Sequence, residues 1–209
     1  MKKHSNINNL KLPDAILFDT DNTLYPYSPA HEKAMSAIKK KFMEKFNISS
    51  KLFDKKFTEA RKIVKSYLKG TASSHSRLLY INKVFEILGL GSQILMTLEF
   101  EQTYWRTFLN NALLFKGVKE LLEDLRLLEI PLAIVTDLTA HIQYRQMVSF
   151  DLDKFSRPMF MGIIVRFSKN LLPLSLSKDG ISSLHGAHHV AQKFNICLLY
   201  TSDAADDIP

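Results

Sequence analysis

Two short apolar runs bracket a long stretch in which apolar residues recur at helical spacing. The first run is Ala15-Ile16-Leu17-Phe18 and the second is Ile130-Pro131-Leu132-Ala133-Ile134-Val135. Short continuous apolar runs fit strands covered on both faces, as a parallel sheet requires. Between them, Met35, Ile38, Phe42 and Phe46 form one helical face, and Ser28-Pro29 supplies a hydroxyl cap before a proline at the first helical position. Ser50 opens a second predicted helix with Phe53, Phe57, Ala60, Val64 and Tyr67 on one side, stopped at Gly70. A third runs from about Ser76 to Leu88, with Leu78, Ile81, Phe85 and Leu88 aligned and Gly89 after it. A fourth covers about Ser92 to Leu109, and its stripe Phe100, Tyr104, Trp105, Phe108 is predicted to be core rather than a cofactor contact. The amphipathic run Val118 to Leu125 predicts a helix leading into the second strand.

The first strand ends on Asp19-Thr20-Asp21-Asn22-Thr23-Leu24. With a side-chain period of two, a straight strand would aim Asp19 and Asp21 to the same side. Carboxylates that close repel unless a cation lies between them, and hard oxygen ligands suit Mg²⁺. A metal-held carboxylate at a strand tip can attack phosphorus while its neighbour moves protons.

Four apolar residues followed by Asp-x-Asp-x-Thr resemble the first motif of the haloacid dehalogenase (HAD) superfamily of phosphohydrolases. Ile134-Val135-Thr136-Asp137 is similar to its second motif, whose hydroxyl and following backbone N–H hold the transferring phosphoryl group. The resemblance implies an α/β fold, a Rossmann-like core over residues 12–24 and 113–155, interrupted by a helical cap of the C1 type over 25–112. It implies that Asp19 is the nucleophile that forms an aspartyl-phosphate and that Asp21 is the general acid/base. Mg²⁺ would be bound by the Asp19 carboxylate and the Asp21 backbone carbonyl. Thr136 and Asp137 would bind phosphate, although the family more often has Asn where Asp137 stands. An acid at Asp21 favours phosphate-ester hydrolysis over carbon–halogen cleavage. The implied activity is a Mg²⁺-dependent phosphatase of a small phosphorylated metabolite, such as a nucleotide or sugar phosphate. A phosphotransferase shares the Asp pair, and a non-catalytic relative that binds a phosphorylated ligand or a protein partner through its cap is the alternative.

From about Ser156 to Ile196 the apolar pattern loses its periodicity, and the family's Lys, commonly followed by Pro, is absent. Reading the codons of Ser168 to Pro173 one base back permits Glu-Lys-Pro-x-Pro, so a frameshift between Asp153 and Met161 is expected. Residues 197–209, including Cys197-Leu198-Leu199-Tyr200-Thr201-Ser202, look like translated sequencing adapter and are set aside with the acidic Asp203, Asp206 and Asp207. The core is therefore expected to be incomplete at its C-terminus, without the Gly-Asp motif that completes the metal site. His185, His188 and His189 lack a fourth ligand and are not read as a metal site. A chain without these groups is expected to turn over little substrate.

Composition adds a formal charge of +7 and apolar and charged fractions of 46% and 23%, those of an ordinary globular domain. No apolar run approaches the roughly 18 residues of a membrane span. The polar stretch Met1 to Lys11 carries no signal core, so a cytoplasmic protein is expected. Basic residues such as Lys39-Lys40-Lys41 and those from Lys51 to Lys65 are predicted to form solvated faces, which would draw in anionic esters without making nucleic acid the partner. Ser73-Ser74-His75-Ser76-Arg77 reads either as a specificity element in a cap turn or as a helix-capping cluster, and Tyr25 and Tyr27 are similarly open.

Overall fold

The computed structural model describes residues 12–155, 160–167, 170–173 and 196–199. Five strands, β1 (Ala15–Phe18), β2 (Leu132–Thr136), β3 (Phe160–Phe167), β4 (Asn170–Pro173) and β5 (Ile196–Leu199), form one sheet in the order β4-β3-β2-β1-β5. β1 pairs in parallel with β2 and with β5, β2 pairs in parallel with β3, and β4 is antiparallel to β3. The β1–β2 register sets Ile16 against Leu132 and Phe18 against Ile134. Both predicted strands are therefore present, and their carboxyl ends lie on the same edge of the sheet.

Among the described residues there are six α-helices: α1 (Tyr27–Phe46), α2 (Ser50–Tyr67), α3 (Arg77–Ile87), α4 (Ile94–Asn111), α5 (Val118–Leu127) and α6 (Ala140–Ser149). The first four are the inserted cap. Phe42 is completely buried at its centre, 4.2 Å from the Phe100 ring, 4.9 Å from Phe53 and 5.0 Å from Phe85 between centroids. One aromatic side chain thus ties all four cap helices together. The stripe Phe100, Tyr104, Trp105, Phe108 is core, as its spacing predicts.

Local capping explains most boundaries. Ser49 accepts from the Leu52 N–H at 3.2 Å and opens α2, while Ser76 accepts from the Leu79 N–H at 3.3 Å and opens α3. After α3, Gly89 takes a φ of +72°, the left-handed conformation that lets the Leu90 N–H close back onto the Phe85 carbonyl. The start of α1 differs from the sequence reading. Its N-cap is Pro26 rather than Ser28, and the Tyr27 N–H is satisfied at 2.8 Å by the side-chain oxygen of Asn22, five residues upstream. A cap supplied from outside the local sequence leaves no signal in a Ser-Pro pattern.

The sequence reading assigns no element to residues 156–196 and sets the following ones aside, yet β3, β4 and β5 lie there. Phe160–Phe167 has two breaks in its apolar run, Gly162 and Arg166, but β3 is an interior strand, parallel to β2 and antiparallel to β4, and an interior strand needs no polar alternation, so the lack of periodicity was not a sign of loop. Ile196–Leu199 is a four-residue apolar run that adds to the open side of β1. Helix α6 was missed because its buried face includes the polar Gln143 and Gln146. His185, His188, His189, Asp203, Asp206 and Asp207 lie outside the described residues, as does part of the interval assigned to the frame change.

Replacing Phe42 by Ala should cost about 3–5 kcal/mol, the usual cost of emptying an aromatic site that cannot collapse. Urea unfolding of the two proteins measures this directly. A loss below about 1 kcal/mol would mean that the four cap helices do not depend on this ring.

Candidate active site

Asp19 is the first residue beyond β1, and Thr136 is the last residue of β2. Parallel pairing brings these two side chains, with Asp21 and Asp137 in the following turns, to one edge of the sheet. The turn after β1 is held by its own backbone, with the Thr23 and Leu24 N–H groups both donating to the Thr20 carbonyl, at 3.2 and 2.9 Å. Asn22 sits in the left-handed region at φ 56°, which its short polar side chain tolerates. The Thr136 hydroxyl is buried and accepts from the Leu138 N–H at 3.0 Å, which leaves its own hydrogen to be donated elsewhere. Asp19 and Asp137 are half-buried.

Asp21 is held by a chain of hydrogen bonds. The Tyr25 hydroxyl donates to its Oδ1, and Gln146 Nε2 donates to the Tyr25 oxygen at 2.9 Å. Tyr25 is completely buried against Phe108 and Phe150 and cannot swing away. Burial pushes the Asp21 carboxyl above its ordinary value, and the Asp137 charge pushes the same way. The Tyr25 hydrogen bond, the Arg77 charge and Gln146 oppose this without cancelling it. Asp21 therefore keeps a proton more readily than an ordinary carboxyl, which suits an acid that must give one away. Burial and the adjacent Asp21 charge push the Tyr25 hydroxyl well above its ordinary value, so it stays protonated.

Above Asp21 and Leu138 a cavity of about 520 Å³ opens between core and cap. Its cap wall includes His31 of α1, Arg61 and Lys65 of α2, His75, Arg77 and Trp105. Arg61 and Lys65 thus face the cavity, although the basic run containing them was predicted to be a solvated face. Lys39 also reaches the rim, where it pairs with Asp54 at 2.7 Å. The segment from Ser73 to Arg77 does both things its sequence allowed. Ser76 caps α3 and Ser74 donates to the Thr71 carbonyl at 2.7 Å, while His75 and Arg77 line the cavity.

Arg77 is packed between aromatic rings, its guanidinium 5.4 Å from the Tyr80 centroid and 5.3 Å from that of Tyr104. Its Nη1 donates to the His75 carbonyl at 2.9 Å and its Nη2 to the Tyr27 hydroxyl. Burial opposes its charge, but the oxygens of Tyr104, Tyr27 and Tyr80 outweigh that, and it remains a cation. His31 bonds Tyr104 at 2.7 Å through Nδ1. Burial first, then the charges of Arg77 and Arg61, lower its pKa to about 3, so it is neutral at physiological pH.

Among the described residues no three His, Cys, Asp or Glu side chains cluster as a ready metal cage. Mg²⁺ does not require one, since it commonly takes one or two protein oxygens and completes its shell with water and substrate phosphate. The Asp19 carboxylate and the main chain at Asp21 provide hard donors of that kind. The Asp21 side chain is engaged by the Tyr25 hydroxyl.

A parallel α/β sheet carrying Asp-x-Asp at one strand tip, Thr at the next and a helical cap above them defines a HAD-type hydrolase. The model of the haloacid dehalogenase-like hydrolases matches residues 13–176, and the chain belongs to that family. The match runs beyond Phe155, where the motif resemblance ended, and takes in β3 and β4. Ribulose-1,5-bisphosphate 5-phosphatase of Halopiger xanaduensis is 34% identical over 130 residues, covering 62% of this chain and 54% of that protein. The chain thus spans about half the length of this curated relative. Among solved structures, the magnesium-bound HAD-hydrolase YfnB of Bacillus subtilis is similar at 21% identity and a TM-score of 0.48, covering 74% of this chain and 66% of that one. A HAD phosphatase of Thermococcus onnurineus gives 20% identity and the same TM-score, covering 74% and 63%.

The raised Asp21 pKa has a stability consequence. A carboxyl that binds its proton more tightly when folded loses stability as pH rises from its ordinary value of 3.8 through the raised folded value. Asp21→Asn should therefore melt higher than the parent at pH 7.5 in EDTA. The gain should fade below pH 3.8, where the parent carboxyl is protonated in both states. A variant that melts lower at pH 7.5 would show that the charged form is favoured in place.

Proposed function

We propose that this site hydrolyses phosphate monoesters of a small metabolite, such as a nucleotide or sugar phosphate, through a phosphoryl group carried on Asp19. The observation that carries the reading is the arrival of Asp19 and Thr136 at one sheet edge, next to Asp21 and Leu138, which line a cavity walled on the cap side by Arg61, Lys65 and Arg77. The name of the relative from Halopiger xanaduensis, a phosphatase of a sugar bisphosphate, supports phosphoryl chemistry.

In the first step an Asp19 carboxylate oxygen attacks phosphorus as the bond to the leaving alkoxide breaks, and Asp21 gives its proton to that alkoxide. In the second step water attacks the phosphorus of the aspartyl-phosphate, Asp21 takes a proton from it, and the Asp19–phosphorus bond breaks to release inorganic phosphate. The Thr136 hydroxyl donates to a non-bridging oxygen, fixed in direction because its lone pair is occupied by the Leu138 N–H. The Tyr25–Gln146 chain keeps Asp21 from rotating between its two proton transfers. The Asp19 carboxylate and the Asp21 carbonyl would hold Mg²⁺, which would neutralise phosphoryl charge there. The cap excludes bulk water from the reacting centre.

The sequence contains neither Lys-Pro nor Gly-Asp after Asp137. Phosphoryl transfer depends on charge stabilisation of the kind those groups supply, so turnover by this chain is slow. Among the described residues no helix is long and apolar enough to cross a membrane.

Incubation with acetyl phosphate and Mg²⁺ should place a phosphoryl group on the peptide carrying Asp19, seen by mass spectrometry after borohydride trapping. Asp19→Asn or EDTA should abolish it. Steady-state hydrolysis of p-nitrophenyl phosphate should stay below about 0.1 s⁻¹, under the usual enzyme range. An unlabelled Asp19 would refute its role as nucleophile, whereas brisk Mg²⁺-dependent turnover would refute slow hydrolysis.

A further inference from the structure

We infer that Gln146 of α6 is a positioning residue for proton transfer by Asp21, acting chiefly through the Tyr25 hydroxyl. The inference rests on the phosphatase reading and assigns a measurable part in one chemical step to a side chain outside both strand tips and the cap.

A helix packed on a hydrophobic core ordinarily turns apolar side chains inward. Helix α6 turns Gln143 and Gln146 inward as well, three residues apart on one face and each 1% exposed. An amide taken out of water costs free energy unless its polar atoms are hydrogen-bonded. Gln146 is satisfied on one side only. Its Nε2 donates to the Tyr25 hydroxyl at 2.9 Å, whereas its Oε1 is buried with no hydrogen-bond partner among the described residues. Met would fill nearly the same space without that cost. Packing therefore does not account for an amide here, and the donated hydrogen does.

That hydrogen sets the direction of the chain. The Tyr25 oxygen accepts from Gln146, so its own hydrogen goes to Asp21 Oδ1. Phe108 and Phe150 hold the Tyr25 ring but leave its hydroxyl free to rotate, and the Gln146 donor removes that freedom. Gln146 also bears on the Asp21 carboxyl directly, in the same sense as Tyr25. Gln143 meets the same turn on its other side, accepting from the Thr20 hydroxyl at 3.5 Å. Helix α6 thus holds the residue before Asp21 and the tyrosine after it. Both glutamines lie outside the cavity lining, so Gln146 acts on the acid and not on the substrate.

Acetyl phosphate separates this role from a merely structural one. Its leaving group, acetate, is a weak base and departs without a proton from Asp21, so labelling of Asp19 reports the integrity of the site. Loss of the label needs Asp21: water attacks phosphorus, Asp21 takes a proton from it, and the Asp19–phosphorus bond breaks. Protein labelled in Mg²⁺ is moved to Mg²⁺ buffer without acetyl phosphate, and the label is followed by borohydride trapping and mass spectrometry. Gln146→Met should slow decay about tenfold more than it slows labelling, a part of what a well-placed base supplies. If Gln146→Met does not fold, Gln146→Asn, which withdraws the amide from Tyr25 by one carbon, carries the same comparison. Tyr25→Phe should also slow decay more than labelling. Combined with Gln146→Met it should slow decay by clearly less than the product of the separate effects, as members of one chain do. Equal slowing of labelling and decay by the Gln146 variant overturns the inference and makes the glutamine a structural residue. Decay at the parent's rate overturns it too, as do fully multiplying effects of the two substitutions. In each of these cases a labelled parent leaves the phosphatase reading standing, whereas an unlabelled parent overturns both.

Discussion

Parallel pairing of β1 with β2 is the constraint on which the other features depend. The polar residues lie at the strand ends, Thr136 closing β2 and Asp19 following β1. The chemistry begins where the strands stop, and a register that sets Phe18 against Ile134 makes them stop together. An antiparallel pairing would send Asp19 and Thr136 to opposite ends of the sheet. The apolar residues Ile16, Phe18, Leu132 and Ile134 are buried at 5% exposure or less, so a register slip would expose a row of core side chains. Burial thus enforces the alignment of the two strand ends.

The cap solves a different problem. A carboxylate at an open sheet edge would be solvated and would behave as an ordinary acid. Packing α1 and α4 beside the edge buries Tyr25 and Phe108, and with them the environment that raises Asp21. The same packing forces Arg77 among tyrosines and makes His31 neutral. Acid strength at the core and cation placement in the cap therefore have a common origin, the aromatic packing of the insertion. Stability and site electrostatics draw on the same residues, and a change to either is felt in both.

Much of this was legible in the sequence, for identifiable reasons. The Asp-x-Asp tip was readable because strand, acids and Thr lie within ten consecutive residues, and the four cap helices because large aromatics repeat at helical spacing. What escaped was non-local. The Asn22 cap of α1 acts from outside the helix it serves, and the Gln146–Tyr25–Asp21 chain joins residues 121 positions apart. Arg61 and Lys65 look like any solvated lysine-rich face until α2 is laid over the cavity. Strand β3 was missed because a strand in the interior of a sheet need not alternate, and absence of alternation was taken for absence of structure.

The account's central claim is that the sheet edge at Asp19 and Thr136 receives the reacting phosphoryl group. Crystals soaked with Mg²⁺ and orthovanadate test it most directly. The account requires vanadium within bonding distance of an Asp19 carboxylate oxygen, with the Thr136 hydroxyl donating to an equatorial oxygen. Vanadate bound only at Arg77 and Arg61 in the cap, with Asp19 untouched, would contradict it.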